Sequence, residues 1–282
     1  MKRIWVVPTM LTLANGFFGF LALAKCADAA RIGGASPLFG DTLEYAAYCV
    51  LAAMVCDSLD GWVARRLGTS TELGAQLDSL CDAVTFGIVP GVLFKTFVEG
   101  VGDPPSVTES RYFLAAGACY ALCAILRLAR FNVENLQGRE DHKVFRGLPS
   151  PGAAIVVVAC VLFYFDERWS SWSWTRSAAP TVRSVIGFGF PFLMCALGIL
   201  MVSRIAYPHF ASALFGRRRS FRSFAQLVVG IALAASEPRV FLFLGSLMFG
   251  AFGPAMSLLK RVAGRGQPQS DAVQSKPPAP RP

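Results

Sequence analysis

The chain reads as an all-α protein: a polytopic transmembrane helical bundle of about eight membrane helices. Three observations predict it. Of 282 residues, 54% are hydrophobic and only 16% charged, with a mean hydropathy of +0.49, a balance typical of membrane proteins rather than soluble domains. Apolar windows long enough to contribute membrane helices recur along residues 8–259. Finally, 19 of the 27 Lys and Arg residues fall in segments that an even number of crossings puts on one side, together with both termini. The positive-inside rule makes that side cytoplasmic. The expectation is therefore a multi-pass protein of the cell membrane, with residues 1–263 forming one membrane domain. A tail over 264–282, rich in Pro, Gln and Ser, should be disordered.

Taken in order, the first helix covers Pro8–Ala24. Lys2-Arg3, the apolar run and Ala22-Leu23-Ala24 mimic a cleavable signal peptide, but the run from Trp5 to Ala24 can span a bilayer core and is read as a retained helix. The second window, Leu43–Cys56, is short by itself and is expected to continue past the membrane surface through Asp57, Asp60 and Ala64. Gly68-Thr69-Ser70-Thr71 then forms a bend, with Thr71 or Ser70 capping the next helix. That helix covers Gly74–Val98 and carries Pro90-Gly91, which predicts a kink. Further windows are Tyr112–Phe131, Ala153–Phe165, Val185–Val202, Phe224–Ala235 and Val240–Leu259. Ser170–Trp174 reads as an interfacial aromatic belt, and Arg217–Arg222 as an anchor to anionic lipid.

The net charge of +9 and pI near 9.4 do not point to nucleic acid, because the basic residues lie in short loops between apolar spans. They favour anionic membrane lipids and a phosphate-bearing substrate. None of the eight cysteines forms a C-x-x-C pair, and they read as small core residues. The two histidines, His142 and His209, have no partner at short range and are not candidates for a base.

The chemistry concentrates in 56–87. Asp57 and Asp60 are three apart on one helix face, and Gly74, Asp78 and Asp82 repeat at four-residue steps on the next. The bend between them would bring the two acidic faces together. Each acid in an apolar setting costs about 2.5–3.5 kcal/mol on insertion scales, and four converging carboxylates repel one another, so divalent cations are the natural compensation. An all-oxygen ligand set favours magnesium or manganese, with calcium also compatible, over zinc.

As a pattern, these residues are D-x2-D-G-x2-A-R-x8-G-x3-D-x3-D from Asp57 to Asp82, eight fixed positions without a departure. This resembles the signature of the CDP-alcohol phosphotransferase family. The resemblance implies a helical core of that family's type and transfer of a phosphatidyl group from CDP-diacylglycerol to an alcohol, releasing CMP. It also implies two cations held by Asp57, Asp60, Asp78 and Asp82, with Asp82 as general base. The CDP-diacylglycerol site would comprise Asp57, Asp60, Gly61, Ala64, Arg65, Gly74 and Asp78, with the small residues admitting the nucleotide and Arg65 facing its diphosphate. A homodimer is the oligomeric state that the resemblance suggests.

Three further stretches resemble the phosphatidylserine synthase branch of the same family. They are the first helix, with its Pro8-x-x-x-Thr12-x-x-Asn15 element, LRLARFN over 126–132, and FRGLPSP over 145–151. They make L-serine the expected acceptor. Arg127 and Arg130, with Asn132 beside them, could hold a lipid phosphate or the acceptor's carboxylate. Anchoring of a helix end by positive charge accounts for the same arginines, and the resemblance favours the substrate role. Phosphatidylglycerophosphate or phosphatidylinositol synthesis is the alternative within the family. A divalent-cation transporter is the rival from another class, but it has no need of Gly61, Ala64, Arg65 and Gly74 at fixed offsets from the acids.

Overall fold

The computed structural model describes residues 6–68, 71–102, 105–136, 145–173, 175–203, 205–207 and 235–264. They form helices α1 (Val6–Ile32), α2 (Leu38–Leu67), α3 (Glu72–Asp82), α4 (Val89–Gly100), α5 (Val107–Leu136), α6 (Ser150–Phe165), α7 (Glu167–Ser171), α8 (Ala179–Val202) and α9 (Pro238–Gly264). A π-helical segment, Ala83–Ile88, joins α3 to α4. Six of these runs are long and apolar enough to cross a membrane, and α6 is a shorter apolar helix. The protein is a multi-pass helical membrane protein. Seven of the eight expected helices are found, while all of the eighth, Phe224–Ala235, except Ala235 lies outside the described residues, as do Arg217–Arg222 and nearly all of the expected tail.

Packing follows from which helices are apolar all round. In α6, Ala153, Ala154 and every residue from Val156 to Phe163 are buried, the signature of a helix surrounded by others. It is the central column, with α2, α4, α8 and α9 against it. Phe94, Phe97 and Phe190 pack edge to face beside it, and Tyr164 of α6 meets Phe97 at 4.8 Å between ring centroids. Where α4 crosses α5, glycines face each other. A Cβ at Gly91 would stand 2.7 Å from the Gly117 carbonyl oxygen, and one at Gly117 would stand 2.8 Å from that of Gly91. Small residues permit such close crossings in membranes. Gly91→Ala is therefore expected to force these backbones apart, at a cost of about 1–3 kcal/mol. A thermal melt in detergent that matches the unsubstituted protein would contradict this account of the crossing.

Pro90-Gly91 predicts a kink, and the irregularity the structure shows precedes the proline as a π-helical segment over Ala83–Ile88. In a regular α-helix the Phe86 carbonyl would accept from residue 90, and proline has no N–H to give. The chain responds with the π turn over 83–88, and the buried Tyr120 hydroxyl donates to the Phe86 oxygen at 3.1 Å. A two-strand pairing adds an unanticipated contact. Phe145-Arg146 pairs antiparallel with Ala206-Tyr207, Gly147 adopts φ 86°, and its amide donates to the Ile205 carbonyl at 2.8 Å. The loop leading into α6 is thus pinned to the end of α8. Some 20 Å along α2 from the motif acids, Arg239 of α9 donates to both carboxylate oxygens of Glu44 at 2.7 and 2.6 Å.

Candidate active site

The site begins where α2 stops. Gly68 takes a left-handed conformation, φ 61°, and its amide returns to the Ala64 carbonyl, closing the helix. Three residues later Thr71 caps α3, its hydroxyl accepting from the Gly74 amide at 3.1 Å. Together they turn the chain so that the acidic faces of α2 and α3 meet. One carboxylate oxygen from each of Asp57, Asp60 and Asp78 lies within 4.8 Å of the others. Asp60 is buried, while Asp57 and Asp78 are half-buried. Asp82 stands one turn further along α3, outside this trio but within electrostatic reach of Asp57 and Asp78.

The trio suits a hard divalent cation. Its donors are all oxygen, and Asp78 Oδ1 is buried without a hydrogen-bond partner. Among the described residues no Lys or Arg forms a salt bridge with any of the four aspartates. Like charges held this close in an apolar surround need positive charge beside them, and the cluster could bind a metal ion.

Next to the trio opens a cavity of about 320 Å³. Asp60, Gly61, Ala64, Arg65, Gly74 and Asp78 line it, so six of the eight motif positions share one concavity, with Pro8, Thr9 and Thr12 of α1 opposite. Its volume is at the lower end of the range for small-molecule sites. A Cβ at Gly61 would meet Arg65 Nη1 at 3.3 Å, so glycine there leaves room for the guanidinium to lie against the cavity wall.

The two downstream elements come into contact. Arg127 Nη1 donates to the hydroxyl of Ser150 at 2.9 Å, and Arg127 Nε is buried without a partner. Ser150 opens α6 and is itself fully buried. The Arg127 guanidinium also lies close enough to Asp82 for their charges to attract. Asn132 exchanges hydrogen bonds with Ser79, next to Asp78, at 3.0 and 3.2 Å. Arg130 behaves differently: its Nε pairs with Glu134 on its own helix at 2.8 Å, near the surface.

The structure adds two residues of α1 to the site. Thr12 donates to Asp60 Oδ2 at 2.8 Å and Asn15 Nδ2 to Asp82 Oδ1 at 3.0 Å. Their signal was available, since polar residues three apart share one face of an otherwise apolar helix. Nothing in the sequence says which neighbour that face meets.

A helical membrane bundle whose cavity is walled by this motif defines a class. The chain belongs to the CDP-alcohol phosphatidyltransferase family, whose family model matches residues 5–205, and is thus a membrane transferase. It is similar to the CDP-diacylglycerol–serine O-phosphatidyltransferase of Helicobacter pylori strain J99, at 29% identity over 73% of each chain. The archaetidylserine synthase of Methanothermobacter thermautotrophicus is 32% identical over 72% of this chain and 69% of its own. The CDP-diacylglycerol–serine O-phosphatidyltransferase of Bacillus subtilis is 27% identical over 72% of this chain and 90% of its own.

Proposed function

We propose that this protein transfers the phosphatidyl group of CDP-diacylglycerol to the hydroxyl of L-serine, giving phosphatidylserine and CMP. The observation that carries this reading is the cavity walled by six motif positions, Asp60, Gly61, Ala64, Arg65, Gly74 and Asp78, beside the clustered carboxylates of Asp57, Asp60 and Asp78. The cavity suits the nucleotide diphosphate, with Gly61, Ala64 and Gly74 leaving room and Arg65 facing the phosphates. Arg127, braced by Ser150 and with Nε unpaired, suits a carboxylate. The names of the relatives support serine as the acceptor.

In this mechanism serine binds with its carboxylate toward Arg127 and its hydroxyl toward Asp82. Asp82 accepts the hydroxyl proton as the serine oxygen attacks the phosphorus that bears diacylglycerol. The bond from that phosphorus to the bridging oxygen breaks, and CMP leaves with the electron pair. Asp57, Asp60 and Asp78, with Asp82 beside them, would hold Mg2+ or Mn2+, two per site, which when bound supplies positive charge against the diphosphate and the leaving CMP. The site and both termini face the cytoplasm, and the protein works as a homodimer.

The test is an assay of purified protein with CDP-diacylglycerol and a panel of alcohols. Serine is the acceptor expected to yield lipid product. Turnover of glycerol-3-phosphate or inositol with no use of serine would refute the assignment. Loss of a buried arginine–carboxylate hydrogen bond is worth about 1.5–3 kcal/mol, so Arg127→Ala is expected to raise the KM for serine roughly 10- to 150-fold. Arg130→Ala should do less, given its pairing with Glu134. If Arg127→Ala raises only the KM for CDP-diacylglycerol, Arg127 holds the lipid phosphate instead.

A further inference from the structure

We infer that α1 supplies positioning residues for the two acidic helices: Asn15 holds one oxygen of Asp82 and so turns the other toward the acceptor hydroxyl, while Thr12 fixes Asp60. The Asn15 part rests on the proposed role of Asp82 as proton acceptor.

Asn15 is fully buried. Its Nδ2 donates to Asp82 Oδ1 at 3.0 Å, while its own Oδ1 has no partner. An amide with an unmet buried acceptor is unfavourable in an apolar bundle, where leucine, of similar length, would pack without that cost. What the amide does and leucine cannot is donate to a carboxylate. Nδ2 has hydrogens but accepts none, so it fixes Asp82 without competing for the proton that Asp82 is to take.

The same helix repeats the arrangement one turn earlier. Thr12 Oγ1 lies 3.1 Å from the Pro8 carbonyl oxygen and 2.8 Å from Asp60 Oδ2, and its single hydrogen suits the charged acceptor better. Each contact engages a single carboxylate oxygen. Close approach of α1 makes both reachable. A Cβ at Gly16 would stand 2.9 Å from Cys81 Sγ, and one at Gly19 would overlap Thr85 Oγ1. These glycines, one and four residues beyond Asn15, let α1 lie directly on the helix that carries Asp82.

The test compares Asn15→Leu, Asp82→Asn and the double variant in detergent micelles, measuring kcat, both KM values and equilibrium binding of Mn2+. Asn15→Leu is expected to lower kcat 10- to 100-fold, the usual range for residues that orient a functional group, with the KM for CDP-diacylglycerol and Mn2+ binding nearly unchanged. If Asn15 acts through Asp82, adding Asn15→Leu to Asp82→Asn removes little further activity; a full multiplicative loss in the double variant would mean an independent structural effect and overturn the inference. Should the leucine variant fail to fold, Asn15→Ala removes the donor without adding bulk and is held to the same outcomes. Thr12→Val is expected to weaken Mn2+ binding 10- to 100-fold, and unchanged affinity overturns the inference for Thr12. An active Asp82→Asn enzyme overturns the reading of Asp82 itself. An inactive Asp82→Asn beside a normal Asn15→Leu overturns only the role given to Asn15.

Discussion

Excess EDTA is expected to reduce phosphatidyl transfer to background, and added Mg2+ or Mn2+ to restore it. Asp57, Asp60 and Asp78 gather carboxylate oxygens within 4.8 Å of one another, and among the described residues no lysine or arginine pairs with them. Without a cation, the diphosphate of the substrate would enter a cavity whose wall already carries Asp60 and Asp78. Like charges at such distances repel strongly away from water. A bound cation reverses the sign of that interaction and stabilises charge on the leaving group by several kcal/mol, equivalent to about a thousandfold in rate or more. Asp57→Ala and Asp78→Ala should lose both turnover and Mn2+ binding. Full turnover in excess chelator would show that the acids do something else.

Asp82→Asn is expected to lower kcat by about 10²- to 10⁴-fold, the usual cost of removing a general base, with binding of CDP-diacylglycerol largely kept. The substitution is conservative in a specific way. An asparagine at 82 still has a carbonyl oxygen to accept from Asn15 Nδ2, so the contact seen at 3.0 Å can persist. Its amide retains the shape and some capacity for metal ligation but cannot take the serine proton. Asp82 also stands outside the trio whose oxygens cluster, which leaves the binding of the nucleotide end to other residues. A variant that no longer binds CDP-diacylglycerol would make Asp82 chiefly a ligand and send the search for the base elsewhere.

Much of this site was legible in the sequence because helices translate spacing into faces. Three- and four-residue steps put Asp57 with Asp60, and Asp78 with Asp82, and the turn residues at 68–71 foretold the fold-back that joins them. Faces do not announce their neighbours, however. Thr12 and Asn15 belong to the element of the first helix that carries the resemblance, yet their partners are 48 and 67 residues away. The contact of Arg127 with Ser150 was hidden for the same reason, although both lie in stretches singled out by resemblance. Proline gave the right warning about the third span and the wrong address. The carbonyl that it deprives belongs to Phe86, a turn upstream, so the disturbance falls over 83–88. Arg130 looked equivalent to Arg127 because three residues on a helix share a face, but Glu134, four residues on, claims its side chain.

The length of α2 has a kinetic consequence. Its 30 residues extend about 45 Å at 1.5 Å per residue, against a hydrocarbon core of about 30 Å. Asp57 stands nineteen residues beyond Leu38, about 28 Å along that axis, and Asp60, Ala64 and Arg65 follow in the remaining length. Those lengths match the motif to the depth where a phospholipid's phosphates reside while its acyl chains remain among their neighbours. A lipid substrate reaches it by lateral diffusion and never leaves the bilayer. The concentration that governs saturation is then two-dimensional: the mole fraction of CDP-diacylglycerol in the membrane or micelle, which added inert detergent dilutes even when the amount per litre is unchanged. Serine, arriving from water, obeys ordinary bulk concentration, so the two substrates of one reaction are measured out in different dimensions.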